Sequence, residues 1–305
     1  MQVYLPIAEI SMNIFLLLGL GFGVGILSGL FGVGGGFLLT PLLIFLGVPA
    51  PVAVATQSNQ ISGQSLAGVI QHWRRQNVDV PMGLILLVGG ITGSTLGVAI
   101  FSALRKMGQI DLLISILYIV FLGFIGITML IEGVNSLRKT KQHIGSRTYH
   151  HIGHRLPFKM RFRKSGLYMS ALLPLIVGFS VGLISALMGV GGGFILVPAM
   201  IYIIGMPTRV VIGTSLFQII FTAANVTILQ AVSTQTVDVV LALVLLIGGV
   251  IGVNIGAIFG SRLRGEQLRV LLALVVLAVA FKLLLDLILT PSDIYNIRFI
   301  EGILQ

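Results

Sequence analysis

The run Gly32-Val33-Gly34-Gly35-Gly36-Phe37 returns as Gly189-Val190-Gly191-Gly192-Gly193-Phe194, 157 positions further along the chain. Both copies interrupt long apolar stretches. Three successive glycines weaken a helix by about 1 kcal/mol each relative to alanine, which exceeds what close helix packing requires. Paired breaks at matching places in two apolar halves are the sequence pointer to a transport site built on discontinuous helices.

Outward from the glycines the correspondence continues at a nearly constant offset. Gly21, Gly25 and Gly29 match Gly178, Gly182 and Ala186, and Pro41 matches Pro198. Gly47-Val48-Pro49 matches Gly205-Met206-Pro207, and Thr56 and Gln60 match Thr214 and Gln218. Gly89-Gly90, Gly93, Gly97 and Arg105 match Gly248-Gly249, Gly252, Gly256 and Arg264. Self-similarity of this extent marks an internal duplication.

The chain of 305 residues is 56% hydrophobic and only 9% charged, whereas soluble domains carry roughly a quarter charged residues. Apolar segments near 13–31, 81–103, 111–133, 167–188, 237–260 and 268–290 approach or exceed the roughly 18–20 residues that cross a bilayer. Shorter apolar pieces follow each triple glycine at 37–47 and 194–204, and more polar helices are expected near 52–72 and 210–230. The N-terminus has no basic residue ahead of its apolar core and no clear cleavage site, so it is expected to be a first span and not a removable leader. The expected fold is an all-α integral membrane protein with two homologous, inverted repeats of about four to five transmembrane segments, each with a broken, re-entrant Gly-rich segment. The expected organisation is 1–133 first repeat, 134–166 basic linker, 167–290 second repeat and 291–305 tail.

Nine of the 19 basic residues lie between Arg138 and Lys164, with no acid among them. This segment is therefore expected on the cytoplasmic side, against anionic lipid headgroups. The net charge of +10 is thus read as membrane topology and not as nucleic-acid binding. Alternation outward from the linker places 15 of the 19 basic residues in the cytoplasm and needs an odd number of crossings per repeat, which inverts the halves.

Each piece between the glycines and the following Gly-x-Pro has about 11 residues, 37–46 in the first copy and 194–204 in the second, roughly 16 Å, or half of a hydrocarbon core. The turn then opens a half-helix near mid-membrane, where bare backbone is tolerated only beside protein or a water-filled cavity. Two inverted copies bring two positive helix ends together, a receptor for an anion. Gly34, Gly35, Gly36, Gly191, Gly192 and Gly193 are the candidates. The stripes Gly21/Gly25/Gly29 and Gly89/Gly93/Gly97 have the small-xxx-small spacing of packing contacts and are read as that.

The segment Thr56-Gln57-Ser58-Asn59-Gln60, followed by Gln64, is unusually polar for a span, and its partner offers Thr214, Ser215, Gln218, Thr222 and Asn225. Positions 56, 60 and 64 share one helical face, as do 214, 218 and 222. Neutral hydroxyls and amides can donate to an oxyanion without a fixed counter-charge, so these residues are expected to line the pathway. The alternative is polar glue between helices.

Lys282 and Asp286 stand four apart and are expected to satisfy each other. No carboxylate falls mid-span in the form of a proton relay. His143, His150, His151 and His154 fall in the basic linker without a nearby carboxylate and are read as loop, so no metal or cofactor is expected. There is no cysteine, no Gly-x-Ser-x-Gly, no His-Glu-x-x-His and no phosphate loop. Enzyme activity and ATP drive are therefore not expected.

The doubled Gly-Val-Gly-Gly-Gly-Phe followed by Leu/Ile-x-x-Pro resembles the sulfite exporter TauE/SafE family of permeases. Gly47-Val48-Pro49, Thr56, Ser58 and the Gly-Gly-x-x-Gly-x-x-x-Gly blocks of both halves reinforce the likeness, which spans residues 15–290. The resemblance implies a multi-pass transporter of the cell (inner) membrane that moves sulfite, sulfonates or related small organosulfur anions. A passive anion channel on the same helix ends is the alternative.

Overall fold

In hydrocarbon a backbone must satisfy its own hydrogen bonds, and each apolar stretch of this chain accordingly becomes a helix. A computed structural model describes residues 2–31, 36–138, 157–260 and 265–289. The strands β1 (Gln2–Leu5) and β2 (Ile10–Asn13) form a hairpin ahead of α1 (Ile14–Phe31), α2 (Gly36–Phe45), α3 (Ala50–Arg74), α4 (Val80–Lys106) and α5 (Ile110–Arg138). A second hairpin, β3 (Lys159–Phe162) with β4 (Leu167–Ser170), leads into α6 (Leu172–Met188) and α7 (Gly193–Ala199). A π-helical turn, Met200–Ile204, continues α7, and α8 (Thr208–Ser233), α9 (Val239–Gly260) and α10 (Gly265–Ile288) complete the order. Among the described residues, five helices are long and apolar enough to cross a membrane, and α1 and α6 are shorter apolar helices.

The hairpins are the main departure from the sequence reading. Residues 167–170 pair as a strand instead of starting a span, residues 159–162 are ordered within the expected linker, and α5 runs on to Arg138. The strands also obey the duplication, since Gln2–Leu5 and Ile10–Asn13 shifted by 157 give Lys159–Phe162 and Leu167–Ser170. His143, His150, His151 and His154 lie outside the described residues.

The glycine stripes set the closest helix contacts. A Cβ on Gly21 would stand 2.7 Å from the Leu245 carbonyl oxygen, and one on Gly25 2.5 Å from that of Gly249, so α1 and α9 approach backbone to backbone. At the matching positions Gly178 meets the Leu86 carbonyl and Gly182 the Gly90 carbonyl, which joins α6 to α4 in the same way. Glycine here removes the side chain that would hold the helices apart.

These contacts also fix direction. Along α1 and α9 the paired positions rise together, as they do along α6 and α4, so each pair is parallel. Between α3 and α8, Ser62 donates to the Ile220 carbonyl (3.2 Å) while Gly68 meets Leu216, so these two run antiparallel. Thr56, Gln60 and Gln64 meet α9 at Asp238, Leu245 and Gly249 in rising order, which makes α3 parallel to α9. On the other side Thr214, Gln218 and Asn225 meet α4 at Asp79, Gly90 and Ser94, so α8 is parallel to α4. Equivalent helices of the two halves therefore point in opposite directions. On the outer helices Phe124, Ile127, Phe281 and Ile288 are exposed, a girdle for lipid.

Candidate substrate site at the paired helix breaks

The second break is described in full. Helix α6 ends at Met188, and Gly189, Gly191 and Gly192 take φ of +69°, +70° and +77° before α7 opens at Gly193. Only glycine adopts this left-handed conformation without strain. The Gly192 carbonyl accepts from the N–H groups of Ile195 (3.1 Å) and Leu196 (2.7 Å), so those of Gly193 and Phe194 precede the first helical bonds. This is the set of donors that a helix N-terminus leaves for a ligand. Gly189 through Phe194 are all buried. Pro198 cannot donate to the Phe194 carbonyl, and the helix reorganises into the π-helical turn just beyond it.

Gly34 and Gly35 of the first break lie outside the described residues; Gly36, which opens α2, is buried. The two breaks meet. A Cβ on Gly36 would stand 2.9 Å from the Val190 carbonyl oxygen, and the Phe37 and Phe194 rings stack with centroids 4.1 Å apart. Ile61 on α3 touches both Gly36 and Gly191, and Val54, two turns earlier on the same face, lies against Gly189.

The polar residues of α3 and α8 divide by face. Thr56 accepts from the Asp238 N–H (3.0 Å), Gln60 donates Nε2 to the Leu245 carbonyl (3.0 Å), and Gln64 stands over Gly249. In the other half Thr214 accepts from the Asp79 N–H (3.0 Å), and Gln218 and Thr222 stand over Gly90. Asn225 donates to the hydroxyls of Ser94 and Thr95 at 3.0 and 3.2 Å. The 56/60/64 and 214/218/222 faces thus turn toward α9 and α4 of the opposite half. Gln57 and Ser58 instead share the α3 face that carries Val54 and Ile61, and both are buried. Ser215, at the position matching Gln57, is also buried and donates to the Ile212 carbonyl (3.0 Å). Asn59 is half-buried.

Among the described residues several buried side-chain oxygens have no partner, among them Oε1 of Gln57, Gln60 and Gln218. Buried acceptors left unmade cost about 1–3 kcal/mol each, and a polar ligand or water relieves that cost. Amide groups can present either their oxygen or their nitrogen, so the Gln57 amide can meet a donor or an acceptor.

Three capping side chains, Tyr118 at the break and Asp79 and Asp238 at the two ends of the bundle, were not given a role from the sequence. Tyr118 on α5 is fully buried and donates its hydroxyl to the Met188 carbonyl (2.6 Å), at the very end of α6. Asp79 and Asp238 cap α4 and α9 by accepting from Met82 N–H (3.4 Å) and Leu241 N–H (3.0 Å). Each carboxylate also receives the opposite half's hairpin: Asp79 from Ser165 N–H (2.9 Å) and Oγ, and Asp238 from Ile7 N–H (3.0 Å). The duplication itself was a usable signal for these caps, because Asp79 and Asp238 stand 159 apart. Lys282 does not pair with Asp286: its ammonium lies over the Phe45 ring, 4.0 Å from the centroid, where a cation is attracted to the ring face. Among the described residues no cluster of His, Asp or Glu is arranged to hold a metal ion.

A family model described as sulfite exporter TauE/SafE matches residues 17–283. The chain is 30% identical to "Probable membrane transporter protein YjnA" of Bacillus subtilis, over 87% of this chain and 97% of that protein. It is also 30% identical to a "Probable membrane transporter protein" of Xylella fastidiosa, over 88% of this chain and 94% of that protein. "Sulfite exporter TauE/SafE family protein 3" of Arabidopsis thaliana is 31% identical over 40% of this chain and 26% of its own length. No solved structure matches.

Proposed function

The chain belongs to the sulfite exporter TauE/SafE family of membrane transporters, and on that premise we propose that it is a secondary transporter of small anions of the sulfite, sulfonate and related organosulfur class. The anion is held near mid-membrane by the N-termini of α2 and α7, through the backbone of Gly34–Gly36 and Gly191–Gly193. Gln57 and Ser58, on the α3 face that carries Val54 and Ile61, and Ser215, at the matching position of α8, add polar groups to it. The faces carrying Thr56, Asn59, Gln60, Gln64, Thr214, Gln218, Thr222 and Asn225 line the routes to it from either side.

One observation carries this reading. The two breaks lie against each other across Ile61, so two helix N-termini converge on one buried place. Backbone N–H groups and the helix dipoles supply the positive potential, as at other helix-terminus anion sites. Equivalent helices run in opposite directions, which suits two inverted repeats that rock or gate around a central ligand to expose it to either side in turn.

Counterflow in proteoliposomes tests the reading. A transporter exchanges internal unlabelled for external labelled sulfite with saturation, and Gly192→Leu abolishes that exchange while the protein still inserts. Flux that rises without saturation identifies the passive anion channel instead. Unchanged exchange in Gly192→Leu refutes the site.

A further inference from the structure

The hairpin ahead of α6 differs in charge from its twin. Residues 2–13 hold one acid, Glu9, and no base, whereas residues 159–170 hold Lys159, Arg161, Arg163 and Lys164 and no acid. The cross-strand pair Tyr4–Ser11 of the first hairpin is replaced by Arg161–Tyr168 in the second. Since α1 and α6 point in opposite directions, the two hairpins occupy opposite ends of the bundle. The hairpin at one end is therefore basic and the hairpin at the other is not.

The basic hairpin also forms a cavity. Arg161, Arg163, Gly166 and Tyr168, with Phe162 and Leu167 behind them, line a space of about 730 Å³. Paired positions of an antiparallel hairpin share a face, so the Arg161 guanidinium and the Tyr168 phenol stand together. Phe162 and Met169 are buried on the other face and fix the ribbon to the helices. The loop carrying Arg163 is held by Ser165, whose N–H and hydroxyl donate to Asp79, and by Lys164, whose ammonium donates to Gln76 Oε1 (2.9 Å). Asp79, the carboxylate at this hairpin, accepts from Ser165 and Met82 and forms no ion pair with the arginines among the described residues.

Apolar side chains flank the charge. Phe158 and Met160 are 74% and 45% exposed at the start of the hairpin, beside the first residues of α6. A soluble anion has no use for them, but a lipid does: its phosphate meets the guanidiniums while its acyl region covers Phe158 and Met160. The same end of the bundle carries Trp73, Arg74 and Arg75 at the close of α3, the composition of a membrane–water interface.

We propose that the Arg161–Arg163–Tyr168 cavity is a headgroup site for an anionic phospholipid, holding one phosphodiester at the basic end of the transporter. The guanidiniums present paired N–H donors that match phosphate oxygens, and the phenol adds a further donor. The site is independent of the substrate reading and stands or falls without it.

Trp73 is the chain's only tryptophan and lies three residues from Gln76, so it reports lipid at this end. The full chain is reconstituted in phosphatidylcholine with brominated phosphatidylglycerol or brominated phosphatidylcholine at equal mole fraction, and Trp73 quenching is compared. Brominated phosphatidylglycerol is expected to quench more, and the preference is expected to fall on the order of fivefold for each arginine replaced in Arg161→Gln and Arg163→Gln. Both side chains are exposed, so equal melting of wild type and variants in phosphatidylcholine alone is the check on folding; if the double variant melts early, the single variants decide. A preference that survives both substitutions assigns lipid selectivity to other charges and overturns the proposal. So does loss of the preference on adding inorganic phosphate, which marks a site for soluble anions.

Discussion

The rings of Phe37 and Phe194 stack with 10° between their planes, and each is the first residue after its triple glycine. Phe37 and Phe194 are 1% and 3% exposed. The contact ties the openings of α2 and α7 to one another, so whatever moves one break reaches the other. Replacing either ring with alanine leaves a cavity and is expected to cost about 3–5 kcal/mol. The pair adds about 0.5–1.5 kcal/mol beyond area burial, so Phe37→Ala and Phe194→Ala are expected to be non-additive. A double-mutant cycle on unfolding in detergent measures this, and strict additivity disproves the coupling.

The glycine stripes give a prediction with opposite signs at neighbouring positions. Gly25 faces the Gly249 carbonyl at 2.5 Å from where a Cβ would be, whereas a Cβ on Gly23 meets nothing within 4 Å. Gly25→Ala is therefore expected to push α1 off α9 and destabilise by about 1–3 kcal/mol. Gly23→Ala is expected to be neutral or stabilising, by up to about 1 kcal/mol, through helix propensity. Melting temperatures of the two variants check the pair. An equal effect at both positions rules out backbone packing as the role of the stripe.

Much of this arrangement was legible in the sequence, because glycine repeats and apolar length carry it directly. The break before Phe194 and the packing role of Gly21 and Gly25 follow from residues visible in both copies, whereas the partner helix and its direction do not. The hairpins were not legible, since Lys-Met-Arg-Phe and Leu-Tyr-Met-Ser are four-residue strands whose alternation is swamped by the surrounding basic and apolar runs. Helical spacing showed that Thr56, Gln60 and Gln64 share a face, but a face has no address until its neighbour is known. That neighbour is α9, and the α3 residues that touch the break are the apolar Val54 and Ile61. Lys282 was misread for a related reason: spacing within one helix reveals Asp286 but not the Phe45 ring on another.

Thr56 with Asp238, and Thr214 with Asp79, form two equivalent bonds at opposite ends of the bundle. Each holds the N-terminus of a long helix against the polar helix of the other half. Asp79→Ala leaves the donors of Ser165 and Met82 unmet and is expected to cost about 1–3 kcal/mol. Thr214→Val removes one bond and is expected to cost less, about 0.6 kcal/mol, as for hydrogen bonds between membrane helices. Asp238→Ala and Thr56→Val are expected to follow the same order. Unfolding of the four variants checks this, and a larger loss from Thr214→Val than from Asp79→Ala contradicts the assignment.

Tyr118 breaks the symmetry of the two halves. The offset of 159 that relates Arg105 to Arg264 carries position 118 to Leu277, which has no hydroxyl. Tyr118 caps the Met188 carbonyl, at the negative end of α6, five residues before the positive end of α7 opens at Phe194's neighbour Gly193. Without the hydroxyl that carbonyl is an unpaired acceptor in the interior, at a cost of about 1–3 kcal/mol. Its dipole also goes unanswered beside the proposed anion site, and the negative end of α6 then opposes the attraction of α7. Tyr118→Phe is therefore expected to lower the melting temperature and to raise the half-saturation concentration for sulfite in counterflow, with maximal exchange less affected. Leu277→Phe, which removes no hydroxyl, is the control and is expected to leave the half-saturation concentration in place. If Tyr118→Phe lowers only maximal exchange in proportion to folded protein, the residue is structural and has no electrostatic part in binding.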